Sequence, residues 1–579
     1  VVKGEAGASF PIPRLGIPSI VFANGPAGVN LEAPCTQFPI ATSLAASWDR
    51  ELVEQVGTAI GEEALGNGVD VMLAPALNIH RNPLCGRNFE YFSEDPLLSG
   101  KTAAAYVRGV QKNGVAANIK HLVANNQETN RKKNDARISP RALREIYLKG
   151  FEIAVRESSP KTLMTSYNLV NGTYVSERRD LLTTVLRDEW HYEGTVMTWA
   201  TSANIPAQVA ASNDFIHHVE SDDYKVVIEA VKEGRLSKAD LDRNVRRILK
   251  MIVESPTFAD APRPAPDYEK NAAIARSSAA DGMVLLENRD SILPLMDTVK
   301  YVALYGEASL KTIAGGLGSG TVNCAHITSV AEGLESAGYE IVADKDSADV
   351  AIITISRISG AGADRELTDY ILNKEERKLI SETCRVFHSV GKKVIVLLNI
   401  GSTIEIAPWK DEPDAILLIW LPGQESGHSV ADILTGKVCP SGKLPMTFPV
   451  GYADAASTAN FPVNAKSAYA DSVGRNVDYT LYQEGIYVGY RYFDTFNKGV
   501  VYPFGYGLSY TNFTYDEPEV IMRRRSIKVY VDIINTGTVA GREVAQLYIQ
   551  APLGSLEKPS KELKGWCKTP LLEPGEKFT

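Results

Sequence analysis

Between positions 87 and 167 the chain gathers residue types that seldom share a segment without a reason: Arg87, Lys120, His121, Asn125, Glu128, Arg131 and Tyr167. Several of them follow short apolar runs, where a strand would end and a loop begin. Buried Lys, Arg and Glu are costly unless they are mutually paired. A cluster of this density therefore implies either a bound ligand or an internal salt-bridge lattice. Taken by themselves, Lys120 and His121 read better as a satisfied core pair. The six cysteines, at 35, 85, 324, 384, 439 and 567, form no CxxC and have no closely spaced His, which argues against a zinc site and a disulfide scaffold. With only eight His, a His-centred metal enzyme is disfavoured. Gly315-Gly-Leu-Gly-Ser-Gly320 lacks the lysine of a phosphate loop and does not match GxGxxG, so it reads as a loop leaning toward a site rather than a nucleotide cradle.

The elements that must position these residues follow from pattern. Ser19–Phe22, Val71–Leu73, Ala117–Ile119 and Leu163–Ser166 are short apolar runs separated by helical stretches at Glu51–Gly66, Thr102–Asn113 and Pro140–Arg156. This alternation predicts a parallel α/β unit of (β/α)8-like, TIM-barrel type over residues 1–253. A linker is expected over 254–271, where Pro256, Pro262, Pro264 and Pro266 interrupt any periodicity. A second α/β segment, a sandwich of helices around a mostly parallel sheet, is expected over 272–450, and an irregular crossing over 451–509. From 510 to 579 the period changes to two, as in Ser526–Asn535 and Glu543–Ile549. That predicts a fibronectin-like β-sandwich, expected to be incomplete at this length.

Composition bounds the rest. The 579 residues are 44% hydrophobic and 23% charged, as in ordinary globular chains, and are too many for one core. No apolar run approaches the roughly 20 residues of a membrane helix, so no membrane partner is expected. With 61 basic against 70 acidic residues, a formal charge of −9 disfavours nucleic acid. Arg523–Arg525 is the one tight basic cluster and reads as a solvated turn. The start at Val1, without Met or a signal-like segment, is expected to be processed or trimmed. Bacterial-type cytoplasm and periplasm are both compatible with unpaired thiols, and a homo-oligomer is compatible with the sequence.

Several stretches together resemble glycoside hydrolase family 3, the β-glucosidase branch with a C-terminal fibronectin-like domain. They are Gly25-Pro-Ala-Gly28, Asn78-Ile-His-Arg-Asn-Pro83, Gly86-Arg-Asn-Phe-Glu90 and Lys120-His-Leu-Val-Ala-Asn-Asn-Gln-Glu128. Further along come Met164-Thr-Ser-Tyr-Asn168, Pro422-Gly-Gln-Glu425, Ser441-Gly-Lys-Leu-Pro445 and Tyr502-Pro-Phe-Gly-Tyr-Gly-Leu-Ser509. Each is weak alone; their collinear order is specific. The resemblance implies a retaining hydrolase that releases terminal non-reducing β-linked glucose from a small β-glucoside or oligosaccharide, with no metal and no organic cofactor. It implies glycone contacts from Arg87, Lys120, His121 and Arg131, with Tyr167 beside the nucleophile, Met164 on the pocket floor and Trp199 lining it.

Three positions depart from that pattern. Retaining hydrolysis needs two carboxyl groups about 5–5.5 Å apart. The nucleophile is expected in a strand-end motif such as Val-Met-Thr-Asp-Trp, but here Val196-Met-Thr198 runs directly into Trp199. No acid stands between Glu193 and Asp214. The Asp is deleted, replaced by Trp199, or present as a modified or covalently occupied residue between Thr198 and Trp199; the register of the Trp favours deletion or modification. The acid/base is expected within Ser359-Gly-Ala-Gly-Ala-Asp-Arg365, where Ala361 takes the place of Glu. Asn24 stands where a sugar-binding Asp is expected, giving up a charge-assisted bond worth at most about 1.5–3 kcal/mol. The alternatives are a β-glucoside-binding protein without hydrolysis, and a β-xylosidase or arabinofuranosidase. An N-acetylglucosaminidase is disfavoured because Lys120-His121 is not followed by Pro-Gly.

Overall fold

The computed structural model describes residues 7–199, 204–217, 223–343, 345–462, 478–524, 526–552 and 554–579. Six strands, β1 (Phe22–Ala23), β2 (Val71–Met72), β3 (Ala116–Leu122), β4 (Thr162–Thr165), β5 (Thr195–Trp199) and β6 (Phe215–His217), form one sheet in chain order. Every neighbouring pair in it is parallel. This is the curled, barrel-like sheet that the alternation predicts, with six strands among the described residues where a closed barrel has eight. The first four strands are fully buried, and β3 carries Asn118, Lys120 and His121 among its apolar residues.

Two of the helices show how closely the layers approach. Helix α1 (Arg50–Gly66) starts at Asp49, whose carboxylate accepts from Glu51 N at 3.0 Å and Leu52 N at 3.1 Å. Helix α2 (Pro96–Gln111) starts the same way, Asp95 accepting from Leu97 N and Leu98 N, with proline in the first turn. A Cβ on Gly57 of α1 would lie 2.5 Å from Tyr106 O, and one on Gly109 of α2 would lie 2.2 Å from Glu54 O. Glycine at both crossing points is what lets the backbones touch. The single helix expected over Pro140–Arg156 is broken: Pro140–Ala142 leads into a π-helical turn, Leu143–Tyr147, before α3 (Lys149–Ser158). Helix α4 (Lys238–Val253) closes this part, and α5 (Tyr268–Gly282) opens the next.

The second sheet contains β7 (Val284–Asn288), β8 (Tyr301–Tyr305), β9 (Glu340–Ile341), β10 (Val350–Arg357), β11 (Lys393–Ile400) and β12 (Ala415–Leu418), ordered β7-β12-β11-β10-β8-β9. Only β7 runs antiparallel, against β12. Helices α6 (Lys374–His388) and α7 (Ser426–Leu434) belong to this layer. The stretch expected to be irregular carries a short strand at Tyr479–Leu481 and a helix at Tyr490–Thr495; its residues 463–477 lie outside the described residues.

Among its described residues the last part is β-only. Strands β13 (Phe513–Tyr515), β16 (Ile533–Asn535) and β19 (Lys577–Phe578) form one sheet, and β17 (Val544–Ile549) pairs with β18 (Glu562–Lys568). The half-buried strand expected over Ser526–Asn535 is two elements instead. Its first half, β15 (Ser526–Tyr530), pairs with β14 (Glu519–Arg523) in a hairpin whose side chains are mostly exposed on both faces. Period-two alternation there does not report a buried face. Arg523 ends β14 and Arg524 sits in the turn, as the solvated-turn reading expects; Arg525 lies outside the described residues. All six cysteines are free. Among the described residues no helix is long and apolar enough to cross a membrane.

Candidate functional site

The candidate residues collect at the C-terminal ends of the first sheet's strands. Asn24 directly follows β1, half-buried, and its carbonyl accepts from Asn30 N at 2.9 Å. Gly25 in that turn has φ +135°, and a Cβ there would lie 1.6 Å from Gly28 O, so only glycine fits. Lys120 and His121 lie in β3, Met164 in β4, and Thr198 and Trp199 end β5. Arg87 comes from the long loop after β2, Tyr167 from the loop after β4.

These side chains form a paired lattice. Buried Arg87 donates through Nε to Glu90 and through Nη2 to Ser319 Oγ at 3.2 Å, and Ser319 Oγ donates in turn to Glu90 Oε2 at 3.1 Å. Burial works to raise the Glu90 carboxyl, but Arg87 and Lys120 outweigh it and hold it below its usual range. Burial lowers the Lys120 ammonium to about 8; Glu90 opposes that shift and Arg87 adds to it. His121 is driven well below the usual imidazole range by burial and by the charges of Arg87, Lys120 and Arg131, so the ring is neutral. Asn78 holds the His121 backbone, accepting from His121 N at 2.9 Å and donating to His121 O at 2.9 Å, and its Oδ1 lies 3.4 Å from the ring Nδ1. Glu128 takes the Arg131 guanidinium, which lies 5.0 Å over the Tyr167 ring. Thr165 Oγ1 donates to Thr198 Oγ1 at 2.8 Å. Trp199 stacks on His217 at 5.1 Å and 15°, with Phe22 edge-on to the same His.

The loop of Ala361 reaches this lattice from the second sheet. Gly362 N donates to Glu128 Oε2 at 2.6 Å. Asp364 accepts from Gly86 N at 3.0 Å, Glu128 N at 2.9 Å and Thr129 N at 2.8 Å. Arg365 donates to Thr403 O at 2.9 Å and Asp369 O at 2.8 Å. Half-buried Ala361 bonds through its N–H to Leu317 O at 3.2 Å, so the glycine-rich loop lies against it. A Cβ on Gly316 or Gly320 would meet the Phe89 ring at 2.5 Å, which explains the glycines without any phosphate. The strand β5 passes through Thr198 and Trp199 in unbroken register with Ile216 and His217, and no carboxylate stands between them.

Asp214, the next acid in the chain, is not a stand-in. Its oxygens accept from Arg187 at 2.7 Å, Arg247 at 3.0 Å and Val196 N at 2.8 Å. Glu90, Asn78 and Ser319 were not singled out by sequence. Arg87 and Glu90 stand three apart in one turn, a readable signal; Ser319 belongs to the glycine loop expected to lean toward a site, but its pairing with Glu90, 229 residues away, has no sequence signal. Among the described residues no group of three or more His, Cys, Asp or Glu is placed to hold a metal ion.

Comparison with known proteins identifies the domains. Residues 6–251 match the glycosyl hydrolase family 3 N-terminal domain, 283–510 its C-terminal domain, and 543–579 a fibronectin type III-like domain. Thermostable β-glucosidase B of Acetivibrio thermocellus is 39% identical over 618 residues, covering 98% of this chain and 78% of the relative. Exo-α-(1→6)-L-arabinopyranosidase of Bifidobacterium longum is 34% identical over 623 residues, covering 100% of this chain and 80% of the relative. The structure of β-glucosidase 3B from Thermotoga neapolitana in complex with glucose superimposes with a TM-score of 0.94 at 45% identity, covering 100% of this chain and 88% of that one. A lattice at the strand ends, a second-domain loop leaning on it and relatives matched over nearly the whole chain lead to one assignment: this chain belongs to glycoside hydrolase family 3.

Proposed function

We propose that this glycoside hydrolase scaffold is of retaining β-glucosidase type, that its strand-end site receives the terminal β-linked glucosyl unit of a β-glucoside or oligosaccharide, and that with Ala361 at the acid/base position and no Asp between Thr198 and Trp199 it holds the unit without cleaving it by the two-carboxylate route. Asn24, Arg87, Lys120, His121 and Arg131 meet the sugar hydroxyls, and Met164, Tyr167 and Trp199 meet its apolar faces. The observation that carries the reading is the retained lattice: Arg87 pairs with Glu90 and Arg131 with Glu128, and buried Lys120 lies in the field of Glu90, while Ala361 and the Thr198–Trp199 peptide stand where the family resemblance expects carboxyls. A neutral polyol exchanges its water bonds for these donors and acceptors without unbalancing their charge. The names of the relatives, and the glucose in the Thermotoga complex, support the same ligand class.

Binding and transition-state stabilisation are separable, so affinity is expected where turnover is not. Calorimetry with glucose should show one site per chain that weakens at least tenfold in Lys120→Ala. No heat with glucose or any β-glucoside overturns the proposal. Xyloside and L-arabinoside belong in the same series, because one relative acts by name on an L-arabinopyranoside.

A further inference from the structure

In the loop that carries Ala361, the Asp364 carboxylate spreads over two loops of the first domain. Its Oδ1 accepts from Gly86 N at 3.0 Å and from Glu128 N at 2.9 Å. Its Oδ2 accepts from Glu128 N at 3.0 Å and from Thr129 N at 2.8 Å. Gly86 lies in the turn that Asn88 N closes on Cys85 O at 3.2 Å, and Arg87 is the next residue of that turn. Glu128 opens the turn that Arg131 N closes on Glu128 O at 3.1 Å. One side chain of the second domain thus bonds to both turns that carry the guanidinium groups of Arg87 and Arg131.

The surroundings of Asp364 keep it there. Arg365 N donates to Leu84 O at 2.8 Å and Arg365 Nη1 to Pro83 O at 3.2 Å, so the next residue grips the same first-domain loop. Gly362 N donates to Glu128 Oε2 at 2.6 Å from the other side. A Cβ on Gly86 would lie 1.8 Å from Ala363 O, so the two backbones touch only because residue 86 is glycine. An ionised carboxylate is acceptor-only and can meet N–H groups on both oxygens. A carboxamide, in either orientation, sets its NH2 against a backbone N–H. Lys120 and His121 need no such support, because they lie in β3 and the sheet places them.

We infer that Asp364 is a positioning residue for the sugar site: from the second domain it fixes the turns of Arg87 and Arg131, so the loop-borne glycone contacts of the first domain form only with the Ala361 loop docked. This role rests on the proposed sugar site and deepens it. It holds whether or not position 361 carries a carboxyl, because the bonds to Gly86, Glu128 and Thr129 come from residue 364.

Asp364→Asn and Gly86→Ala disturb the junction from opposite sides, the first by opposing donors and the second by the clash with Ala363 O. Each should weaken glucose about tenfold in calorimetry, the scale of one charge-assisted hydrogen bond. The double variant should bind no more weakly than the worse single one, because both undo the same docking. Amide hydrogen exchange at Gly86, Glu128 and Thr129 should quicken in both variants, while the amides of β3 keep the rates of the unmodified chain. In Asp364→Ala, added formate should restore slow exchange and affinity, and formamide, of similar size but with N–H groups of its own, should not; packing alone would not tell the two apart. Glucose affinity within twofold of the unmodified chain in both single variants overturns the inference, as do unchanged exchange at the three amides or equal rescue by formate and formamide. Absent glucose binding in the unmodified chain refutes the sugar site instead, and the exchange rates with their formate rescue then decide by themselves whether Asp364 holds the two turns.

Discussion

Replacing Glu90 with Gln should be among the more damaging single changes that preserve side-chain size. Glu90 is 1% exposed and ion-paired to an Arg87 side chain that is itself 4% exposed. Gln keeps one acceptor for Ser319 or Arg87 but removes the charge that balances Arg87 and Lys120. Breaking a buried pair from one side costs about 3–5 kcal/mol, and the retained acceptor places this variant near 3 kcal/mol. Lys120 limits the cost because its ammonium already titrates near 8. Without Glu90 it releases its proton at lower pH, so the gap between the two proteins narrows as pH rises. The parent has its own signature. A folded Lys120 pKa of about 8 lies below the ordinary 10.5, so the unfolded chain binds more protons between those values and stability rises with pH across that window. Denaturant unfolding at pH 7 and pH 9.5 reads both effects. A loss under about 1 kcal/mol at pH 7, or a loss that grows with pH, would refute the charge-lattice reasoning.

Three further outcomes follow from other groups. Glu94 is raised to about 7 by burial, even though it accepts from Thr447 N, Thr447 Oγ1 and Tyr490 N. A raised carboxyl contributes stability below its unfolded value near 4.5 that is lost as pH rises through 7, so Glu94→Gln should gain up to about 3 kcal/mol relative to the parent between pH 4.5 and 8, read by thermal scans. Lys568 of β18 is tied to Asp281 at 2.7 Å and Ser47 O at 2.9 Å, so Lys568→Ala should cost about 2–4 kcal/mol and speed proteolysis in the fibronectin-like part. Ala361→Glu alone should give no turnover of aryl β-glucosides in buffer without an added nucleophile. The same change with an Asp inserted between Thr198 and Trp199 should give turnover above background, since acid–base help is typically worth about 10²–10⁴-fold.

The parts of this molecule that were legible in its sequence are those set by local pattern. Apolar runs such as Leu163–Ser166 and helical stretches such as Glu51–Gly66 lie within a residue or two of the observed elements, because burial and capping act within a few positions. The site was legible where strand ends carry unusual residues, as at Lys120-His121 and Thr198-Trp199. Pairings between distant segments were not. Ser319 on Glu90, Gly362 on Glu128 and Asp364 on Gly86 join positions hundreds of residues apart, and nothing in either partner announces the other. The break at Leu143–Tyr147 has no Pro or Gly to mark it. Ser526–Tyr530 alternates like a buried strand, yet it is paired with Glu519–Arg523 in an exposed hairpin, because alternation sets faces and only packing decides which face is covered.

The account stands most directly on one titration, that of the unmodified chain with an activated aryl β-glucoside in a calorimeter. Such a substrate needs little acid assistance, so on the proposed reading only the lack of a carboxylate between Thr198 and Trp199 restrains it. The account predicts injection heats that saturate at one site per chain and return to baseline, with no continuing heat and no released phenol. Sustained heat with phenol release would mean that the chain cleaves the substrate despite Ala361 and the direct Thr198–Trp199 link, and the absence of any binding heat would mean that the buried lattice is not a sugar site.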